Sequence, residues 1–274
     1  MKFLPLKIVP LAFFALAGSL GAQVLMLDFG STTAADVDQS NSPYHTAGSF
    51  SGTSWNTLVN TDPGALTWAD GTAATGISAA IGTGGATTAY AAVSDIDLDT
   101  NPSSVSGLGG AINTGIYEGS TAGKDGIFTA VTSGNAFSAV GLQIGGLTAG
   151  TYDIYITARN TSAAGHTQLL YAGRSADAGD FTYTGYDTQT LSYGGDTDFG
   201  TDAWTEGVNY AKFSVSITSG ELLNIVSLGG SFQNRGFLNS VQIVSTIPEP
   251  SAFALLGGAG ALALASLRRR QRAR

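Results

Sequence analysis

The sequence predicts an all-β fold of the sandwich type, on three observations. Short segments with alternating apolar and polar residues recur along the chain. Clusters of Gly, Asn, Asp, Ser and Thr separate them, as turns require. No stretch sustains the 3.6-residue period of an amphipathic helix, and glycine, which weakens helix interiors, interrupts almost every candidate.

The elements follow in chain order. Val24 to Gly30 (VLMLDFG) is a short apolar run of the buried-strand type. From Gly30 to Gly126 large apolar residues are sparse and Thr, Ala and Gly abundant, which predicts long loops with a few strands, such as ALTWAD around Trp68. TYDIYITA alternates, with Tyr152, Ile154 and Ile156 on one face and Asp153, Tyr155 and Thr157 on the other. AKFSVSIT repeats the pattern, with Phe213, Val215 and Ile217 inward and Lys212, Ser214 and Ser216 outward. FLNSVQIV reads as one closing strand, with Phe237, Val241 and Ile243 in register around Asn239. Residues 23–246 are expected to form one β-sandwich domain, with a boundary near Gly123 to Gly134 as the alternative.

Composition excludes several chemistries. The chain has no cysteine, so disulfides, thiol nucleophiles and thiolate metal sites are all ruled out. Between Gln23 and Ile247 the basic residues are Lys124, Arg159, Arg174, Lys212 and Arg235, against nineteen acids, a net charge of −14. Such a body repels nucleic acid and anionic lipid and attracts cations, so a nucleic-acid function is ruled out.

Both ends carry targeting features. Residues 1–22 have the three parts of a secretory signal helix. Lys2 and Lys7 precede an apolar stretch from Ile8 to Ala17, and small residues end at Ala22, which makes signal peptidase a partner. Cleavage after Ala17 is the alternative. At the other end, residues 247–274 combine Pro248-Glu249-Pro250 with an apolar run, Ala252 to Leu267, and a basic stop of Arg268, Arg269, Arg270, Arg272 and Arg274. As a helix the run spans about 24 Å against a hydrocarbon core of about 30 Å, a marginal single transmembrane helix. The arginines place the body outside and the terminus in the cytoplasm. The two prolines hold the adjoining strip extended, as a processing enzyme needs.

This tail resembles a PEP-CTERM sorting signal. The resemblance implies recognition by an exosortase that cuts near the motif, and a Gram-negative-type envelope. It also implies delivery to the outer surface or extracellular matrix, with membrane attachment only before processing. More loosely, the body is similar to galactose-binding-like jelly-roll domains. The features are VLMLDFG, the turn Gly146-Leu147-Thr148-Ala149-Gly150-Thr151-Tyr152 feeding a central strand, and the closing RGFLNSVQIV. That resemblance implies a jelly-roll-like β-sandwich and a carbohydrate-binding role.

Candidate chemistry is sparse. Asp95, Asp97 and Asp99 alternate along DIDLDTN and could supply oxygens to a structural calcium. The competing reading is a half-buried strand with Ile96 and Leu98 inward and the three aspartates solvated. The run lacks the glycine and glutamate of an EF-hand. Asp196, Asp198 and Asp202 form a second such candidate. For sugar binding, which uses aromatic faces with polar groups beside them, Trp68, Trp204 and Arg235 are the candidates, with Trp55, Tyr183 and Tyr186 in similar surroundings. Core packing competes for the tryptophans and a salt bridge for Arg235. His45 and His166 stand in polar loops without partners at metal spacing, and no hydrolase elbow, zincin motif or phosphate loop is present.

The expectation is therefore a non-catalytic, exosortase-processed surface or matrix protein with a structural or adhesive role in exopolysaccharide or biofilm. A lectin-like carbohydrate-binding module, with a polysaccharide partner, is the alternative, and a glycan-active enzyme the third reading. Replacing Pro248, Glu249 and Pro250 together by alanine should leave the chain in the inner membrane with its tail attached. Fractionation and a C-terminal epitope check this, and normal arrival at the surface would refute the sorting reading.

Overall fold

The computed structural model describes residues 23–30, 40–46, 50–59, 63–86, 95–105, 115–117, 123–129, 137–160, 167–192, 203–230 and 235–246. The signal segment and the tail with its Pro-Glu-Pro motif and arginines lie outside the described residues. So do Asp196, Asp198, Asp202, His166 and Asn234. Among the described residues no helix is long and apolar enough to cross a membrane.

The chain enters β1 (Val24–Phe29), makes one helical turn, α1 (Pro43–Thr46), and forms β2 (Asn56–Leu58) and β3 (Ser78–Ala86). Short strands β4 (Asp95–Ile96), β5 (Ser103–Val105) and β6 (Gly126–Phe128) follow. The longer β7 (Phe137–Gly145), β8 (Gly150–Thr157) and β9 (Thr167–Ser175) come next, then β10 (Phe181–Thr182) and β11 (Asp187–Ser192). β12 (Ala211–Ile217), β13 (Leu222–Gly229), β14 (Phe237–Leu238) and β15 (Ser240–Ser245) complete the body.

These strands build two five-stranded sheets, ordered β12-β8-β15-β1-β2 and β11-β9-β13-β7-β3. Pairing within them is antiparallel except between β1 and β2. The fold is all-β, and the sheets are arranged as a sandwich. Period-2 alternation explains the interior. Leu25, Leu27, Phe29, Tyr152, Ile154, Ile156, Phe213, Val215, Ile217, Val241 and Ile243 of the first sheet share one apolar core with Ile81, Val140, Leu142, Ile144, Leu170, Leu223 and Ile225 of the second. The inward residues expected in β8 and β12 are the ones found there, and Lys212, Ser214 and Ser216 face outward.

Each sheet is also covered on its outer face. On the second sheet β4 lies across a strip of glycines. A Cβ at Gly82 or Gly84 would collide with the carbonyls of Asp97 and Asp95, and one at Gly141 would collide with Ile96. The bare backbone therefore lets Ile96 plug the sheet and join Ala139, Phe181, Tyr183, Val226 and Leu228 in a second apolar cluster. Gln143 and Asn224, opposite each other in β7 and β13, are hydrogen-bonded at 3.0 Å. Asn224 also donates to Ser175 Oγ and the Tyr186 hydroxyl, while Gln143 accepts from Gly179 N–H, so the 175–186 segment is held down.

Three sequence expectations need correction. FLNSVQIV is two strands broken at Asn239: β14 pairs with β6, β15 pairs with β8 and β1, and Leu238 rather than Phe237 faces the main core. The Gly146 turn feeds β8, whose Tyr152 hydroxyl donates to the Thr148 carbonyl at 2.8 Å, but β8 lies second from the sheet edge and not at its centre. ALTWAD contributes an isolated bridge, Thr67 to Ala73, and a tight turn, while the nine-residue β3 occupies the Gly- and Ala-rich stretch beyond it.

The break at Asn239 has a physical cause. The residue is fully buried, and its four polar groups each find a partner. Its N–H donates to Thr157 O at 3.0 Å, its C=O accepts from Phe29 N–H at 2.9 Å, and its Oδ1 accepts from Arg159 N–H at 2.6 Å. Its Nδ2 donates to the Asp125 carbonyl. Asn239→Leu strips Arg159 and Asp125 of these bonds, and we expect a loss of about 2–4 kcal/mol by urea unfolding. Gly82→Val, which overpacks the β4 crossing, should cost about 1–3 kcal/mol. Gly64→Val, at a position with open space around it, should stay within about 0.5 kcal/mol.

Candidate functional site

The outer face of the first sheet carries the most chemically suggestive surface among the described residues. Alternation in β8 and β12 turns Asp153, Tyr155 and Lys212 outward, and strand register sets Lys212 and Gln242 on either side of Tyr155. The Lys212 ammonium lies 2.7 Å from Asp153 Oδ2 and 5.3 Å from the centre of the Tyr155 ring. Tyr210, just before β12, stacks its ring 5.9 Å from that of Tyr155, and Tyr44 approaches from the other side at 5.3 Å. Three tyrosines thus form a strip, with Tyr155 buried at its middle and Tyr44 and Tyr210 half-exposed at its ends.

Local sequence explains how Tyr44 gets there. Ser42 precedes Pro43, the residue best suited to the first position of a helical turn. His45 Nε2 lies 2.7 Å from the Gly52 carbonyl, which only accepts, so that nitrogen carries the proton. Nδ1 then accepts from the Ser42 hydroxyl at 2.6 Å. The Tyr44 N–H donates to Gln242 Oε1 at 2.9 Å, which fastens the turn onto β15. Phe50 packs on both Tyr44 and His45, at 4.7 and 4.9 Å between ring centres. Val24, Met26, Ala69 and Val244 lie beneath, with Trp55 packed against them.

The electrostatics of the strip are unbalanced toward negative charge. Burial, then Tyr155 and Asp153, hold the Tyr44 hydroxyl above the usual phenol range, with a smaller opposing effect of Lys212. Burial, then Glu206 and Tyr155, do the same for Tyr210, again against Lys212. The hydrogen bond to Asp153 raises Lys212 despite partial burial, so it stays charged. The strip therefore presents neutral aromatic faces beside a fixed ion pair.

Residues singled out in the sequence lie elsewhere. Trp204 is buried in the main core, its Nε1–H donates to Asn41 Oδ1 at 2.8 Å, and it meets Tyr117 edge-on at 5.5 Å. Trp68 is partly buried against the same core, in a turn closed by its own N–H and C=O. Arg235 is exposed, with its guanidinium 5.0 Å from the Phe128 ring centre. They are not gathered on one surface. Asp95, Asp97 and Asp99 are exposed while Ile96 is fully buried and Leu98 partly so, the pattern of a half-buried strand. Asp97 accepts from the Asp99 N–H at 2.8 Å, and Asp180 accepts from the Leu98 N–H at 2.9 Å. Among the described residues no three acidic or histidine side chains are grouped to hold a metal ion.

A second polar concentration is sealed inside. Arg159 is fully buried, its guanidinium 3.7 Å from the Tyr117 ring centre and its Nε–H donating to the Gly123 carbonyl at 2.8 Å. Burial pushes the Tyr117 hydroxyl well above its ordinary range, against the opposing pull of Arg159. Asp28 and Asp125 are buried as well. These groups brace the chain from within the body. The tyrosine strip, by contrast, was missed in the sequence because its members sit on separate segments. The available signals were Tyr155 and Lys212 at outward positions of well-patterned strands.

No protein-family model matches the chain, and neither does any curated protein sequence. Among solved structures it is similar to TmCBM61 in complex with β-1,4-galactotriose, at 13% identity and a TM-score of 0.25, over 45% of this chain and 72% of that one. It is similar to CBM35 from Cellvibrio japonicus Abf62 at 18% identity and a TM-score of 0.27, over 47% and 76% of the two chains. An isomalto-dextranase from Arthrobacter globiformis complexed with panose is matched at 20% identity and a TM-score of 0.26, over 44% of this chain but only 18% of that longer one.

Proposed function

We propose that this chain is a non-catalytic carbohydrate-binding protein of the cell surface or extracellular matrix, and that the tyrosine strip holds the glycan. The observation that carries the reading is the row Tyr44–Tyr155–Tyr210 with the Lys212–Asp153 pair beside it. Sugar rings present apolar C–H faces and a rim of hydroxyls, and partly buried aromatic rings flanked by charged groups match both. In the same reading the N-terminal segment directs export through signal peptidase. The Pro-Glu-Pro tail delivers the protein through an exosortase to an exopolysaccharide or biofilm. A structural or adhesive role and glycan binding are then one activity, since holding polysaccharide is how such a protein would stick.

The test is a glycan-array screen of the full chain, with Ca²⁺ and again with a chelator. Binding to defined glycans is expected. Tyr44→Ala and Tyr210→Ala should each weaken it about threefold to tenfold, the worth of one stacked ring; both rings also pack against apolar clusters, so binding is compared below the melting temperature of each variant. Trp204→Ala should instead lower stability by about 3–5 kcal/mol, as loss of a core aromatic does. Silence of the folded chain across the array would refute the reading.

A further inference from the structure

We propose that the strip admits uncharged sugars and turns away anionic ones, and that Asp153 is the residue setting this choice. This rests on the glycan-binding reading of the strip and names the chemical class of its ligand.

The cation of the strip is Lys212, and it is already committed. Its ammonium is hydrogen-bonded to Asp153 at 2.7 Å and sits over the Tyr155 ring, with the two side chains 33% and 23% exposed. Three other basic groups of the body are engaged elsewhere: Arg159 is buried against Tyr117, Arg174 lies 3.4 Å from Glu221, and Arg235 covers Phe128. Glu206 adds a second carboxylate close enough to act on Tyr210. Glu206 is bridged to Tyr210 and Asp153 lies beside Lys212, and at these two partly buried rings the carboxylates outweigh the ammonium in holding the phenols neutral.

A uronate or sulfate brought to these rings must shed water next to two carboxylates whose neighbouring cation, Lys212, is already paired, which opposes binding. The surrounding body, at −14, adds repulsion at longer range. A neutral sugar meets neither obstacle. Its C–H face covers the rings, and its hydroxyls donate to Asp153 while Lys212 stays in place.

Asp153→Asn keeps the shape and a hydrogen-bond acceptor but releases the charge of Lys212. The experiment is titration calorimetry of the full chain with a neutral β-galactan and with polygalacturonate, at low salt and at 0.5 M NaCl. The parent chain should bind the neutral polymer and hold polygalacturonate at least about tenfold more weakly. Asp153→Asn should gain about threefold or more for polygalacturonate, a gain lost in 0.5 M NaCl and absent when Lys212→Gln is added. Circular dichroism checks that both variants are folded, since a partly exposed ion pair contributes little to stability. Polygalacturonate binding as tight as that of the neutral polymer, or no gain in Asp153→Asn, overturns the proposal and leaves the platform standing. A parent chain that binds neither polymer, nor any neutral glycan of the array, overturns the platform reading and this proposal together.

Discussion

The structure turns on Asn239. Its backbone ties Thr157 of β8 to Phe29 of β1, and its side chain ties Arg159 to Asp125. One residue with four polar groups, fully buried, joins three other segments at once. Because every group is used, the chain cannot slide here, and a one-residue slip of β15 would turn its whole pattern over. The register that follows places Ser240 against Thr157, Val241 against Ile156 and Gln242 against Tyr155. The Thr157 and Ser240 hydroxyls, 2.6 Å apart, reinforce it. The site on the outer face is thus a consequence of a junction in the interior: Gln242 reaches the Tyr44 backbone because Asn239 fixes where β15 begins.

The two outer faces solve the same problem differently. Both sheets bury apolar residues on each side, as Val24 and Met26 of β1 or Val226 and Leu228 of β13 show, so both need a cover. On the second sheet the cover is intimate: glycines bring the backbones of β3 and β7 against β4, and Ile96 fills the space. On the first sheet the cover, among the described residues, is a helical turn latched by Ser42, His45 and Gln242, with Phe50, Trp55 and Ala69 packed beside it. Tyr44 and Tyr210 stay partly exposed at its edge.

Much of this could be read from the sequence, and the failures have physical reasons. β8 and β12 were legible residue by residue because their large apolar side chains alternate without interruption. β3 was not, because Gly82, Gly84 and Gly85 have no side chains to alternate, and the strand is created by nine paired residues of β7. The break in FLNSVQIV was hidden because Phe237, Val241 and Ile243 share one parity. Only the burial of the Asn239 amide, a tertiary fact, divides them. The burial of Trp204 was hidden for a related reason. Trp204 looked available beside acids and glycines, yet a large ring placed near the interior contributes most by being buried. Tyr155 and Lys212 were correctly turned outward, but their adjacency depends on which strand lies beside β8, and that is not written in either segment.

Charge distribution gives the site its character. A body at −14 could have concentrated its five basic residues into one anion-binding patch. Instead Arg159 is buried beneath Tyr117, Arg174 lies beside Glu221 and Lys212 beside Asp153. Each of these three is held within the domain, beside a carboxylate or against a ring. What remains exposed on the strip is aromatic area and hydrogen-bonding capacity, and stacking on such area is far less sensitive to salt than ion pairing. On the proposed reading this suits a protein that must hold polysaccharide in an environment of varying ionic strength. On the same reading the diffuse negative charge keeps neighbouring copies apart, while short-range contact at Tyr44 and Tyr210, backed by the buried Tyr155, holds the polysaccharide.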